Sequence, residues 1–150
     1  MPTIHDSITT LDGVCPVVLA TPPGDGPWPG IVIYPDAGGA RAAIQGMAER
    51  LASLGYAVLL PDVYYRNGVW APFDMTAVFG DAAERNRLFA MMKAITPDVV
   101  AADAQAFFGY LAGRPEVTGD RFGTTGYCMG GRMSLVVAGR VPDRVAAAMS

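Results

Sequence analysis

One pentapeptide has the residue types and spacing to do chemistry: Gly126-Tyr127-Cys128-Met129-Gly130, a G-x-C-x-G run. It lies between Arg121–Tyr127, patterned as a strand, and Gly130–Arg140, patterned as a helix. A side chain in the middle of such a turn is thrust outward, and glycines two residues to either side leave room where a Cβ would meet neighbouring backbone. Cys128 is therefore a candidate nucleophile toward an acyl carbon, with the Met129 amide pointing to where the oxyanion forms. The start of a helix adds positive potential that favours negative charge there. The alternative is structural: a buried, inert cysteine in a glycine turn that only brings helix and strand together. Cys15, inside an extended apolar run, reads as a core residue. Free thiols are expected, because two cysteines so far apart suggest neither a disulfide framework nor a zinc ribbon.

A second oxyanion donor is expected from Asp36-Ala37-Gly38-Gly39, the loop after the apolar run Ile31-Val32-Ile33-Tyr34. Ala37 is the candidate; an ordinary glycine-rich connection is the competing reading. Asp36 reads first as a local residue, forming an Asx turn or capping the next helix. A thiol nucleophile also needs a base and an acid to orient it. The one histidine, His5, precedes every part of the motif and reads as an exposed or strand-edge imidazole. Asp62 closes a strand and comes too early in the chain for the acid. No metal site is expected, since a single histidine excludes a His-rich ligand set.

The elements that must position these residues follow from hydrophobic periodicity. Ile4–Thr10 and Val14–Ala20 read as an antiparallel hairpin turning at Leu11-Asp12-Gly13. The Pro- and Gly-rich stretch from Thr21 to Gly30 reads as a surface connection, and Ile31–Tyr34 as a strand buried on both faces. Ile44, Met47, Ala48, Leu51 and Leu54 recur at helical spacing ahead of Gly55, and Tyr56–Leu60 is a second buried strand closed by Pro61. Strand, helix and strand make a βαβ unit. Asp62–Lys93 is irregular and aromatic-rich, with a helix expected over Ala82–Ile95. Thr96-Pro97-Asp98 opens another helix, with Val100, Ala104, Phe107, Phe108 and Leu111 inward and Gly113 at its end. Arg144–Met149 begins a further strand. The fold class is α/β: a three-layer sandwich on a mostly parallel sheet with an antiparallel N-terminal hairpin.

With 51% hydrophobic residues, 17% charged, 18 glycines and 12 prolines, the 150 residues suit one turn-rich globular domain. Fourteen acids against 11 bases, with no basic cluster, remove the attraction on which nucleic-acid binders and polybasic membrane readers rely. The expected partner is a small molecule, with no nucleic acid and no membrane. No apolar run approaches the roughly 18–20 residues that cross a bilayer, and a cytoplasmic location is expected. Parallel strands need both faces covered, so a chain stopping at Ser150 leads to the expectation that a C-terminal part of the domain lies beyond it.

Three segments, Ile31–Gly39, Leu60–Arg66 and Gly126–Gly131, together resemble the dienelactone hydrolase family of α/β-hydrolases in order and spacing. The resemblance implies a Cys, Asp, His triad that hydrolyses a small ester or lactone through an acyl-thioester, without a cofactor. It implies Cys128 as nucleophile, the amides of Met129 and Ala37 as oxyanion hole, and Gly126 and Gly130 flanking the turn. The family's acid and histidine come after the nucleophile, so both would lie beyond Ser150 and the 150 residues alone would be inactive. Asp36 falls where the family carries an acid, usually Glu, beside the cysteine. Arg85, with Arg87 close behind, matches a substrate-carboxylate arginine, although an arginine on an exposed helix is commonly a solvated surface residue. The competing function is a non-catalytic module that binds a small molecule or partner through these loops. Which ester or lactone, and which oligomeric state, stay open at this level.

Overall fold

The computed structural model describes every residue from Met1 to Ser150. The strands are β1 (Thr3–Thr10), β2 (Gly13–Ala20), β3 (Trp28–Tyr34), β4 (Ala57–Pro61), β5 (Val117–Gly126) and β6 (Val145–Ala148). The helices are α1 (Ala42–Ala52), α2 (Ala82–Ala94), α3 (Pro97–Ala112) and α4 (Met129–Arg140). One six-stranded sheet runs in the order β1-β2-β4-β3-β5-β6. The hairpin is antiparallel and β2 joins β4 antiparallel, while β4, β3, β5 and β6 are mutually parallel. This is the expected mostly parallel α/β sheet with its antiparallel start.

Alternation along the central strands sorts side chains to two layers. Ile33, Val58 and Leu60 meet Ala20 and the α1 residues Ile44, Ala48 and Ala52 on one face. Val32, Tyr34, Ala57 and Leu59 face the larger core, which takes in Phe107, Phe108 and Leu111 of α3 and Met133 and Val137 of α4. All five residues expected inward on α3 are buried, and so is Asp103. Thr96 caps α3, its hydroxyl accepting from the Val99 amide at 3.3 Å.

Three expectations need correction. The buried row of α1 is Ile44, Ala48 and Ala52, whereas Met47 is 40% and Leu54 69% exposed. A strict four-residue row ending in alanines sits close on the sheet, and Leu54 falls beyond the last helical turn. The strand β3 begins at Trp28, inside the stretch expected to be a connection. It tolerates Pro29 because the Trp28 amide bonds to Glu116 on the β5 side and successive amides alternate, so the Pro29 nitrogen faces β4, whose ladder begins only at Gly30. Pro61 lies within β4, as its last residue.

The chain crosses from β3 to β4 on one side of β3 and later returns to β5 on the other. The ends of β3 and β5 therefore meet at a switch in strand order, where open α/β sheets form their binding crevices. Tyr34 is registered against Gly126 there, so the loops carrying Ala37 and Cys128 leave the sheet side by side.

Candidate active site

Cys128 occupies the corner between β5 and α4 with φ 57° and ψ −117°, and it is the one non-glycine residue with a positive φ. Its side chain is exposed, whereas Cys15 is buried. The flanking glycines are required by space. A Cβ on Gly126 would stand 2.7 Å from the Tyr34 carbonyl oxygen, and one on Gly130 2.7 Å from the Pro35 carbonyl oxygen with Tyr34 closer still. Side chains at either position would push β5 and α4 away from the end of β3. The alternative of a sealed, relaxed cysteine does not describe this corner.

Met129 is the first residue of α4, where amides have no acceptor within their own helix. Across the gap, Ala37 is 7% exposed and its N–H makes no hydrogen bond within the protein. Tyr64 spans the two loops: its hydroxyl donates to the Ala37 carbonyl at 2.8 Å and lies 3.6 Å from the Met129 sulfur. The sequence therefore brings together Cys128, Met129, Ala37, Gly126 and Gly130.

Asp36 forms the Asx turn, its Oδ1 accepting from the Gly38 amide at 2.9 Å. Its carboxylate also takes both terminal nitrogens of the Arg41 guanidinium. Arg41, not Asp36, holds the N-cap position of α1. The hydrogen bonds of Asp36 run to these groups and none to Cys128.

A cavity of about 640 Å³ opens at Cys128, lined by Cys128, Met129 and Arg132 together with Phe89, Lys93 and Ile95 from α2 and the turn after it. Arg132 donates to the Ile95 carbonyl at 2.9 Å, which ties α4 to that turn. Arg85 and Arg87 are not in this lining. Arg85 donates to the Phe79 carbonyl at 2.9 Å. Arg87 pairs with Glu84 at 2.8 Å and stacks 3.8 Å above the Phe73 ring, beside a separate cavity that includes Trp70 and Pro72. The cations at the cysteine's cavity are Lys93 and Arg132, which the sequence reading missed. Arg132 had a signal, standing one helical turn beyond Cys128. Lys93 had none, because the patterning of α2 says little about which way it faces.

His5 lies exposed on β1, with β2, β4 and β3 between it and β5. Four strand spacings make roughly 19 Å, too far for proton transfer with Cys128. Asp62 accepts from the Tyr64 amide at 3.0 Å and from the Trp70 indole, and so organises the loop after β4. Cys15 Sγ points to the Pro16 and Asp62 carbonyls, and burial pushes its thiol up to about 12.

A mostly parallel sheet at a strand-order switch, with a strained cysteine corner leading into a helix, is the arrangement of an α/β-hydrolase fold. The family model of the dienelactone hydrolase family matches residues 15–150, and the chain belongs to that family. It is 28% identical over 134 residues to the carboxymethylenebutenolidase of Pseudomonas putida, covering 89% of this chain and 55% of that protein. Among solved structures, one described as m3DLH is 30% identical with a TM-score of 0.68, over 91% of this chain and 54% of that one. The dienelactone hydrolase-like promiscuous phosphotriesterase P91 from metagenomic libraries is 26% identical with a TM-score of 0.60, over 92% and 54%. The chain spans about half the length of the curated relatives it matches. No helix is long and apolar enough to cross a membrane.

Proposed function

We propose that these residues form the nucleophile half of a cysteine-dependent hydrolase of small esters or lactones. The observation that carries the reading is the exposed Cys128 at φ 57° beside two amides with no acceptor in their own segment. In the proposed reaction Cys128 Sγ attacks the ester carbonyl carbon, and the displaced π pair becomes an oxyanion received by the Met129 and Ala37 amides. Collapse expels the alcohol oxygen, as a ring-opened enolate where the substrate is an enol lactone, and leaves an acyl-thioester that water cleaves. The route calls for no cofactor. The base that takes the thiol proton and activates water, and the acid that orients it, are assigned to residues outside 1–150, because His5 is out of reach. Names such as carboxymethylenebutenolidase among the relatives support a lactone as substrate class.

The test is single-turnover acylation. With excess p-nitrophenyl acetate, residues 1–150 should release about one equivalent of nitrophenolate and gain one acetyl group on Cys128 by peptide mass spectrometry. Cys128→Ala should show neither. Sustained multiple turnover by residues 1–150 would contradict the assignment of the base to other residues.

A further inference from the structure

Tyr64 is the residue that touches both arms of the anion pocket. It follows β4, its ring is 1% exposed, and its hydroxyl is the one protein donor to the Ala37 carbonyl. The other end of that same peptide group is held as well, because the Gly38 amide donates to the Asp36 carboxylate at 2.9 Å. With its oxygen on a phenol and its N–H on a carboxylate, the Ala37–Gly38 peptide cannot rotate without losing both bonds. One peptide earlier, the Ala37 N–H is left with no protein acceptor, although buried amides are nearly always paired.

We propose that Tyr64 is a positioning residue for attack at Cys128: by anchoring the Ala37 carbonyl, its hydroxyl aims the Ala37 amide at the oxyanion that forms beside Met129. This rests on the cysteine-hydrolase reading above.

The loop after β4 is built to hold that hydroxyl still. The Trp70 ring meets Tyr64 edge-on at 5.4 Å, and its indole N–H donates to Asp62 at 3.0 Å. The same carboxylate receives the Tyr64 amide, so both aromatic residues hang from one anchor. Gly39, at φ 77°, lets the Ala37 loop lie against them, since a Cβ there would run into Trp70. Burial, with the negative charges of Asp36, Cys128 and Asp62 adding to it, pushes the phenol well above its ordinary value. The hydroxyl therefore keeps its proton as a donor at any pH where an ester hydrolase works.

Two electrophiles on the same sulfur test this. Acetylation by p-nitrophenyl acetate builds an oxyanion; displacement of iodide from iodoacetamide builds none at the attacked carbon. In Tyr64→Phe, which keeps the ring and its packing, acetylation of Cys128 should slow about tenfold or more while alkylation stays within about twofold. Near-UV circular dichroism checks the fold. If Tyr64→Phe does not reach the native spectrum, Trp70→Phe, which keeps the hydroxyl but removes its brace, carries the same test with a smaller selective loss. An unchanged ratio of the two rates, or an equal fall in both, overturns the positioning role. Failure of the unaltered chain to acetylate at all overturns the hydrolase reading, and this inference with it.

Discussion

At Cys128 the side chain proposed as nucleophile sits on a backbone that would rather belong to glycine. Holding a non-glycine residue in a sparsely populated region costs roughly 1–3 kcal/mol. The surrounding contacts enforce it, because Gly126 and Gly130 bring the corner within touching distance of the Tyr34 and Pro35 carbonyls. Cys128→Gly should therefore raise stability to urea by about 1 kcal/mol while abolishing acylation, since glycine accepts a positive φ without strain. Gly130→Ala should have the opposite effect, lowering stability by about 3 kcal/mol or more by forcing α4 off the end of β3. Urea midpoints that ranked these two variants the other way round would mean that the corner is not under strain. The five residues of this turn were legible because glycine, cysteine and glycine at that spacing leave a mark in the chain itself. Tyr64 was not, although it lies in a segment that resembles the family: nothing local to it says that its hydroxyl reaches 27 residues back to Ala37.

Between elements, one half-buried ion pair fixes the loop that carries Tyr64. Arg66 grips Asp103 of α3 with two bonds of 2.8 and 2.7 Å and reaches Asp12 in the β1–β2 turn at 2.7 Å. The Tyr65 hydroxyl joins Asp103 and Thr10, so hairpin, loop and helix share one polar knot. The Asp103 side chain is 9% exposed, and removing its partner leaves a charge with little water to meet it. Arg66→Ala should cost about 3 kcal/mol in urea unfolding, and adding Asp103→Asn should return part of that loss. No recovery in the double variant would mean that Arg66 acts through packing rather than charge. Periodicity placed α3 correctly yet gave no sign of Asp103, because a helical pattern counts apolar positions and is blind to a cation arriving from 37 residues earlier. The start of β3 was missed for a related reason. Proline and glycine argue against a strand locally, and only the late start of the β4 ladder, at Gly30, makes Pro29 tolerable.

For the molecule as a whole, the core responds to alkaline pH with a definite sign. Burial, with Asp103 and Asp62 nearby, raises the Cys15 thiol from 9.0 to about 12. Between those values the unfolded chain has lost a proton that the folded chain still holds, so stability falls as pH rises. It is fully present below pH 9 and is removed at up to about 1.4 kcal/mol per pH unit for this group as pH climbs toward 12. Burial raises Tyr65 from 10.0 to about 12, which acts in the same direction. Urea midpoints measured at about pH 8 and about pH 10.5 should therefore drop, and less so in Cys15→Ala, which has no thiol to ionise. A flat profile would show that Cys15 is not sealed in the folded state. Period-two and helical patterns, caps and glycine spacing by themselves determined the α/β class, the order of the elements and the turn that presents Cys128, because each of those is decided by neighbours a few residues apart. Only the tertiary structure decided which loops meet at the ends of β3 and β5, that Lys93 and Arg132 rather than Arg85 and Arg87 line the cysteine's cavity, and that Tyr64 holds Ala37. Those facts depend on strand order and on contacts between distant segments, which exist only once the sheet has formed.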